Sequence, residues 1–490
     1  MGIPAYFSYI IKNHQRIIHE KIPSKIDSLY MDCNSIIYDA VRMVELQKEN
    51  SEVNHDNIIV KVIQLIEYYI QLIKPSKKVY IAFDGVAPFA KMQQQKTRRY
   101  KTEYITRTTA DINIKDTNTF STLEITPGTV FMNKLSKYIK RKFQELGNSS
   151  INIIVSTSED PGEGEHKIVE HMRQFPNQEE SIAIYGLDSD LIMLAIFHYT
   201  LFKNVYICRE APEFHLDNTT TPDVNNKQLL FMDIGVLSDS ILIEMGASTK
   251  RHVCDYVFIC FMLGNDFLPH FPALNIRTHG IQRLLDIYKV HISNYKDRYL
   301  VDVEKHKINW RHMNTFIQEL AKNEHEWILQ EYKIRDRERF FPEITPEQKE
   351  YAFQCIPMIY RGDEKYICPT ESFWEERYYK VLFNNTTKIR DICINYIEGL
   401  EWVFKYYTVG CTDWRWKYSH SHAPLLKDLL LYVPHFDMIF IDKIRPPFTP
   451  QEQLDYVIPK KDNNQEQTEL KFQWAFCKYF WECHLIDTQE

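Results

Sequence analysis

The sequence predicts an α/β protein: a mostly parallel central sheet flanked by helices, followed by a mainly helical, aromatic-rich second region. Three observations carry this. Short apolar runs alternate with stretches of helical periodicity through the first half of the chain, which is the order of β–α–β units. The run Ile182 to Tyr185 is apolar and β-branched enough to be buried on both faces, as in a parallel sheet. From about residue 351 to Phe436 the texture changes to aromatic-rich sequence.

Pro4 fits the first turn of a helix running to about Ile18. A strand is expected at Ser28 to Met31, ending on Asp32, then an amphipathic helix from Asp56 to Ile73 that Pro75 and Ser76 break. Lys78 to Phe83 reads as a strand ending on Asp84-Gly85, and Lys91 to Lys101 as a basic helix. Residues 103–121 are rich in Thr and Asn and read as a loop; Thr126-Pro127-Gly128-Thr129 starts a helix to about Leu146. Ile151 to Val155 is the next strand, followed by Glu163, Glu165 and a helix; the run at Ile182 and a strand near Asn204 to Cys208 come after it. Asp217 to Lys227 is a polar loop, and Arg251 to Leu263 a buried helix ending in Gly264-Asn265-Asp266. The expected organisation is a unit over 1–285, a charged helical connector over 286–350, and a second block over 351–490 whose tail is polar from 460 and apolar again from Phe472 to Trp481.

Composition bounds the function. With 490 residues, 44% hydrophobic and 26% charged, the chain is globular rather than disordered and too long for one ordinary core. A net charge of −7 means that binding to nucleic acid requires positive charge concentrated locally. The ten cysteines show no Cys-x-x-Cys pair and no zinc spacing, so they read as reduced thiols. No apolar run approaches a membrane span, and the N-terminus lacks the basic and small-residue flanks of a signal peptide. Met1-Gly2 opens like a myristoylation site, but Tyr6 stands where Ser or Thr is required. The cytoplasm is the expected compartment, with the nucleus as the alternative.

Acids follow strand or helix ends in five places: Asp32, Asp84, Glu163 with Glu165, Asp188 with Asp190, and Asp266. Any one of them is ordinary as a turn or cap. Together, at one edge of a sheet, seven carboxylates repel strongly unless cations lie between them. In an extended chain Asp188 and Asp190 point to the same side. Oxygen ligands without interleaved His or Cys select Mg²⁺ or Mn²⁺ over zinc. Two such ions about 4 Å apart clamp a phosphodiester and activate water. No Gly-rich phosphate loop is present, which disfavours phosphotransfer.

On the basic helix, Arg98, Lys91, Gln95 and Arg99 fall within about a quarter-turn of one another at about 100° per residue. Forked Arg donors beside a Lys point charge suit a phosphate with several free oxygens. Ala87, Pro88 and Phe89 tie this helix to the loop carrying Asp84. A terminal phosphate on this face, with the next linkage at the acids, describes an exonuclease acting from one end.

The residues at this point resemble the XRN-type 5′→3′ exoribonuclease family. The matching stretches are Met1-Gly-Ile-Pro4, Tyr30-Met-Asp-Cys-Asn34, Ala82-Phe-Asp-Gly-Val-Ala-Pro88, Lys91 to Gln95 with Arg98-Arg99, and Ile125 to Thr129. They continue through Pro161 to Lys167, Tyr185 to Ile192 and Gly264 to His270, then Leu400 to Trp402, Tyr406-Tyr407, Gly410 to Tyr418, Ala423-Pro424, Pro447-Phe448 and Gln453-Leu454. The resemblance implies a PIN/flap-nuclease-like sheet with the second block packed on it and narrowing the entrance to single strands. It implies processive hydrolysis of single-stranded RNA bearing a 5′-monophosphate to nucleoside 5′-monophosphates, with two Mg²⁺ or Mn²⁺ ions. The seven acids named above become the catalytic metal ligands, and Lys91, Gln95, Arg98 and Arg99 the 5′-phosphate pocket. Tyr38 stands where the family commonly has a His that stacks the terminal base, opposite either Trp414 or Trp416. The chain is expected to be a minimal member, without the extra C-terminal domains of large relatives, and a monomer with no membrane partner and protein partners unknown. The alternatives are a 5′ nuclease acting on DNA and a non-catalytic RNA-binding scaffold.

Overall fold

The computed structural model describes residues 6–46, 54–109, 120–145, 151–210, 228–337, 361–383, 388–459, 471–473, 475–476 and 484–486. Outside these lie Met1 to Pro4 with the expected helix start at Pro4, Leu146, the polar loop Asp217 to Lys227, the end of the connector with the start of the second block, and most of the tail beyond 460.

Seven strands form one sheet: β1 Ile18–His19, β2 Ser28–Asp32, β3 Lys78–Ala82, β4 Asn152–Ser156, β5 Asn177–Tyr185, β6 Phe202–Glu210 and β7 Leu229–Asp233. Their order is β1-β7-β6-β5-β2-β3-β4. The five strands β2 to β6 are mutually parallel, and β7 and β1 add an antiparallel edge. The chain builds outward from β2 through β3 to β4, then returns to place β5 on the other side of β2. That reversal lies between β2 and β5, the position where open α/β sheets gather ligands. Asp32 pairs with Ala82, Ala82 with Ser156 and Met31 with Tyr185, so the carboxyl ends of β2 to β5 are level.

The period-two alternation of these strands divides two packed layers. Tyr30, Tyr80, Ala82, Ile182 and Ile184 face one layer. Leu29, Met31, Val79, Ile81, Ala183 and Tyr185 face the other, which helices Asn34–Leu46, His55–Ile73 and Val130–Lys140 complete. The first layer is continuous with the second region: Leu400, Trp402, Phe404, Tyr406 and Tyr407 of helix Ile389–Thr408 belong to the same cluster of buried side chains.

Several elements differ from expectation for physical reasons. The first helix spans only Tyr6–Asn13, and the chain then turns through Gln15–Ile17 into the edge strand β1. The basic helix runs Phe89–Thr109, past the expected loop start at 103, because no Gly or Pro interrupts it. Its Thr97 and Thr102 hydroxyls bond back to the carbonyls four residues earlier, which keeps polar Thr side chains compatible with a helix. The stretch read as a connector contributes Trp310, Met313, Phe316, Ile317 and Leu320 of helix Trp310–Arg337 to the main core. Buried Glu324 of that helix accepts from the backbone N–H groups of Leu426 and Lys427.

The packing of this helix is testable. Trp310→Ala removes a side chain only 1% exposed, whose indole N–H donates to the Met438 carbonyl. It is expected to cost about 3–5 kcal/mol of unfolding free energy in urea titration; a cost near zero means the helix behaves as a tether.

Candidate active site

The level carboxyl ends of β2, β3, β4 and β5 deliver acids to one edge. Asp32 is the last residue of β2. Asp84 lies two residues beyond β3, where the Asn34 side chain grips it: the Asn34 amide donates to Asp84 Oδ2 and its carbonyl accepts from the Asp84 N–H. The loops after β3 and β4 are clamped together, with Gly85 N–H donating to Gly162 O and Gly162 N–H to Val86 O, both at 2.8 Å. A Cβ on Gly85 would stand 1.8 Å from the Asp160 carbonyl oxygen, so only glycine permits this approach.

Glu163 precedes helix Gly164–Gln174, and Glu165 lies in its first turn. The Gly164 N–H donates to Asp84 Oδ1 at 2.7 Å, and a Cβ there would fall 2.6 Å from Asp32 Oδ1. Buried Lys167, one turn on, donates to the Phe83 and Thr157 carbonyls at 2.7 and 2.8 Å, tying the ends of β3 and β4. Asp190 is the first residue of helix Asp190–His198, and Asp266 follows the turn after helix Arg251–Cys260.

Asp188 and Asp190 do not sit on an extended segment. Ser189 already has helical dihedrals, and Asp188 Oδ1 accepts from the Asp190 N–H at 3.4 Å. Asp188 is partly exposed, whereas Asp190 is 1% exposed. The basic helix sends Lys91 Nζ between Glu163 Oε1 and Asp266 Oδ2, 2.6 Å from each. Lys91 is thus engaged with acids, while Gln95, Arg98 and Arg99 line a recess together with Tyr38, Asn34, Asp84, Ile125, Pro127, Met132 and Glu163.

The electrostatics follow from burial. Asp32 is pushed up to about 7 by burial and then by the charges of Asp84 and Glu163. Asp190 is pushed up to about 6 by burial and then by Asp266. Burial also raises Glu163 and Glu165; Lys91 opposes it in both, and Asp190 adds to it at Glu165. At Asp266 burial acts upward too, but Lys91 and Arg98 are among the positive charges that together overcome it and hold the carboxyl at about 2. In the recess, burial and then the neighbouring Arg98 bring Arg99 down to about 10, and its Nη1 is buried with no hydrogen-bond acceptor.

The donor set suits a hard divalent cation. Asp32 Oδ1 and both Asp190 oxygens are buried without a hydrogen-bond donor; buried carboxylate oxygens left in this way are costly unless a cation faces them. The Tyr407 hydroxyl lies close to Asp190. Ligand atoms of Glu163, Glu165 and His166 also lie within 4.8 Å of one another. A nitrogen donor therefore stands at the edge of what sequence alone reads as an all-oxygen set.

The family model described as the XRN 5′-3′ exonuclease N-terminus matches residues 1–211, and that described as the Xrn1 helical domain matches 247–355 and 364–467. The chain belongs to the XRN family. It is 26% identical to the 5′-3′ exoribonuclease 1 of Saccharomyces cerevisiae over 95% of this chain and 39% of that protein. It is 25% identical to the 5′-3′ exoribonuclease 2 of Gallus gallus over 95% of this chain and 64% of that one. The Arabidopsis thaliana 5′-3′ exoribonuclease 2 is 26% identical over 94% of this chain and 61% of its own length. This XRN-family chain thus spans about 39–64% of the length of these relatives.

The structure separates the two tryptophans. Trp416 is buried, stacked on Trp402 with centroids 5.2 Å apart, and pressed on Gly399, so it belongs to the core and not to a base-stacking surface. Trp414 is partly exposed, lies against Gly162, and accepts the Phe89 N–H on its carbonyl. Tyr38 is 44% exposed at the recess. Sequence reasoning assigned no role to Asn34, Lys167, Gln453 or Tyr406. Gln453, fully buried, accepts the Ala87 N–H at 2.9 Å, and Tyr406 donates to Glu163 at 2.9 Å. All four stand in the stretches that carry the family resemblance, but their partners cannot be read from the sequence.

The raised acids have a definite sign. A carboxyl whose folded pKa lies above its unfolded value costs stability as pH rises through the interval, here from about 4 to about 7 for Asp32. Asp32→Asn is therefore expected to raise the melting temperature of protein held in chelator at pH 8 by a few degrees, and to change it little at pH 4.5. An equal shift at both values would contradict the burial of a charge at this position.

Among the described residues, no helix is long and apolar enough to cross a membrane.

Proposed function

We propose that this chain is a 5′→3′ exoribonuclease that hydrolyses single-stranded RNA carrying a 5′-monophosphate, releasing nucleoside 5′-monophosphates one after another. One observation carries the reading: six acids from five separate chain segments converge beside a recess lined by Gln95, Arg98 and Arg99, with Asp84 and Glu163 belonging to both. Membership of the XRN family supports it, since the relatives bear the name 5′-3′ exoribonuclease.

On this reading Asp32, Asp84, Glu163, Glu165, Asp190 and Asp266 hold the ions, with Asp188 capping the Asp190 turn. Bound there, two divalent ions, Mg²⁺ or Mn²⁺, supply positive charge at the scissile phosphodiester and a more acidic water. The protein's own groups do the rest. Arg99 offers a guanidinium nitrogen that has no acceptor of its own, and a terminal phosphate supplies one. Arg98 and Gln95 add donors on the same helix face, and Lys91, one turn before Gln95, is held by Glu163 and Asp266 where the recess meets the acids. Ile125, Pro127 and Met132 form an apolar wall to the recess, which disfavours a longer, more charged terminus such as a triphosphate or cap. Tyr38 and Trp414 present ring faces on which bases stack irrespective of sequence.

The deciding experiment is hydrolysis of matched RNAs with a 5′-monophosphate, 5′-hydroxyl, 5′-triphosphate or cap, with Mg²⁺ or Mn²⁺, products resolved by length. Mononucleotide release confined to the 5′-monophosphate RNA is expected. Equal cleavage of 5′-phosphorylated DNA would favour a DNA-directed 5′ nuclease, and binding without cleavage a scaffold. Asp190→Asn is expected to lower kcat at least a thousandfold while circular dichroism stays unchanged. Arg99→Ala should raise KM for 5′-monophosphate RNA about tenfold, the worth of roughly one charge-assisted contact, with residual cleavage of 5′-hydroxyl RNA unaffected.

A further inference from the structure

We propose that Tyr406 is a positioning residue for the acid site: its hydroxyl fixes the Glu163 carboxylate in the orientation that receives a divalent cation. This rests on the exonuclease reading above and adds to it a role for the second region inside the site, not merely at its entrance.

The Tyr406 hydroxyl donates to Glu163 Oε2 at 2.9 Å, across 243 residues of sequence. Glu163 Oε1 meets Lys91 Nζ at 2.6 Å, so the two oxygens are held from opposite parts of the chain and the carboxylate plane is fixed. The ring of Tyr406 has no freedom to drift. It is sandwiched between His166 (centroids 3.6 Å apart, planes 20° apart) and Trp402 (4.9 Å, 28°), and Phe267 meets it edge-on. Trp402 stacks in turn on Trp416, and its indole N–H donates to the Asp413 carbonyl. A column of four rings therefore runs from the first turn of helix Gly164–Gln174 to the segment bearing Trp414. Tyr406 is 2% exposed, so water cannot replace its hydroxyl as a donor.

Groups that orient a metal-binding carboxylate in this way usually carry a tenfold to hundredfold share of metal affinity. Tyr406→Phe deletes the donor and keeps the ring column. In the full chain, Mn²⁺ affinity is read from the electron paramagnetic resonance signal of free Mn²⁺. The expected result for Y406F is affinity at least tenfold weaker than wild type, a matching rise in the Mn²⁺ concentration for half-maximal hydrolysis, and an unchanged KM for RNA. Tyr378→Phe is the control: its buried hydroxyl donates to the Ala423 carbonyl at 2.7 Å, away from the acids, and its loss should leave Mn²⁺ affinity as it is. A double-mutant cycle locates the effect, because in Glu163→Gln protein the further Y406F change should add less than twofold. Y406F affinity within twofold of wild type overturns the proposal, whether or not Y406F melts earlier, as does full additivity with E163Q. Wild-type protein that binds no Mn²⁺ overturns the exonuclease reading itself, and this inference with it.

Discussion

Repulsion among carboxylates forced into one place is the constraint around which the rest of the molecule is arranged. Asp32, Asp84, Glu163, Glu165, Asp190 and Asp266 crowd an edge where Glu163, Glu165 and Asp190 are nearly out of solvent and Asp32 has its Oδ1 buried. Two unit charges 4 Å apart interact by roughly 4 kcal/mol at an effective dielectric near 20. Among the described residues Lys91 pairs directly with two of the acids, Glu163 and Asp266, and acts on Glu165 and Asp190 without pairing with them. The consequence is visible in opposite directions at neighbouring groups: Asp266, beside Lys91, is held near 2, while Asp32, raised by burial and then by Asp84 and Glu163, stands near 7. Such an arrangement contributes nothing favourable to folding, which makes a cation-binding purpose the economical account of its existence.

The scaffold supplies what the acids cannot. Parallel strands in level register fix the spacing of their carboxyl ends, and the topological reversal between β2 and β5 opens the crevice there. Backbone and amide donors then immobilise individual side chains: Asn34 and the Gly164 N–H on Asp84, and the Lys167 ammonium across the ends of β3 and β4. The second region reaches in from the far end of the chain with Gln453 on Ala87 and Tyr406 on Glu163. One layer of buried side chains runs from Tyr6 to Ile441 without interruption. The two regions therefore share a core, and substitutions in one are felt at the site in the other.

How much of this was legible beforehand depended on whether the information was local. Strand positions at Ser28, Lys78 and Ile182, and the acids that follow them, could be read because a β-branched run ending on a carboxylate is a short-range pattern. Gly85 and Gly164 stood in motifs whose spacing was clear. The geometry of Asp188 and Asp190 was misread because an extended period was carried past the end of β5 at Tyr185, into a helix that begins at Asp190. Trp414 and Trp416 have the same local chemistry, and only the packing of Trp416 between Trp402 and Gly399 tells them apart. The edge strand β1 went unrecognised because two residues leave no periodicity, and β7, as long as β2, was not read either. The functions of Tyr406 and Gln453 depend on partners 243 and 366 residues away, and no window on the sequence reveals them.

The recess and the acid cluster are best regarded as one device with a shared wall. Asp84 and Glu163 face both, so an anion seated on Arg98, Arg99 and Gln95 places its negative charge next to carboxylates. That proximity is unfavourable for any ligand that is merely anionic. It becomes favourable when cations at the acids are shared with the ligand's next phosphate, because the same positive charge then answers both. A free terminal phosphate satisfies only the recess, and an internal phosphodiester alone satisfies only the acids. On the exonuclease reading, a strand end that presents the two one nucleotide apart satisfies both, and ends are told from middles without reading a base.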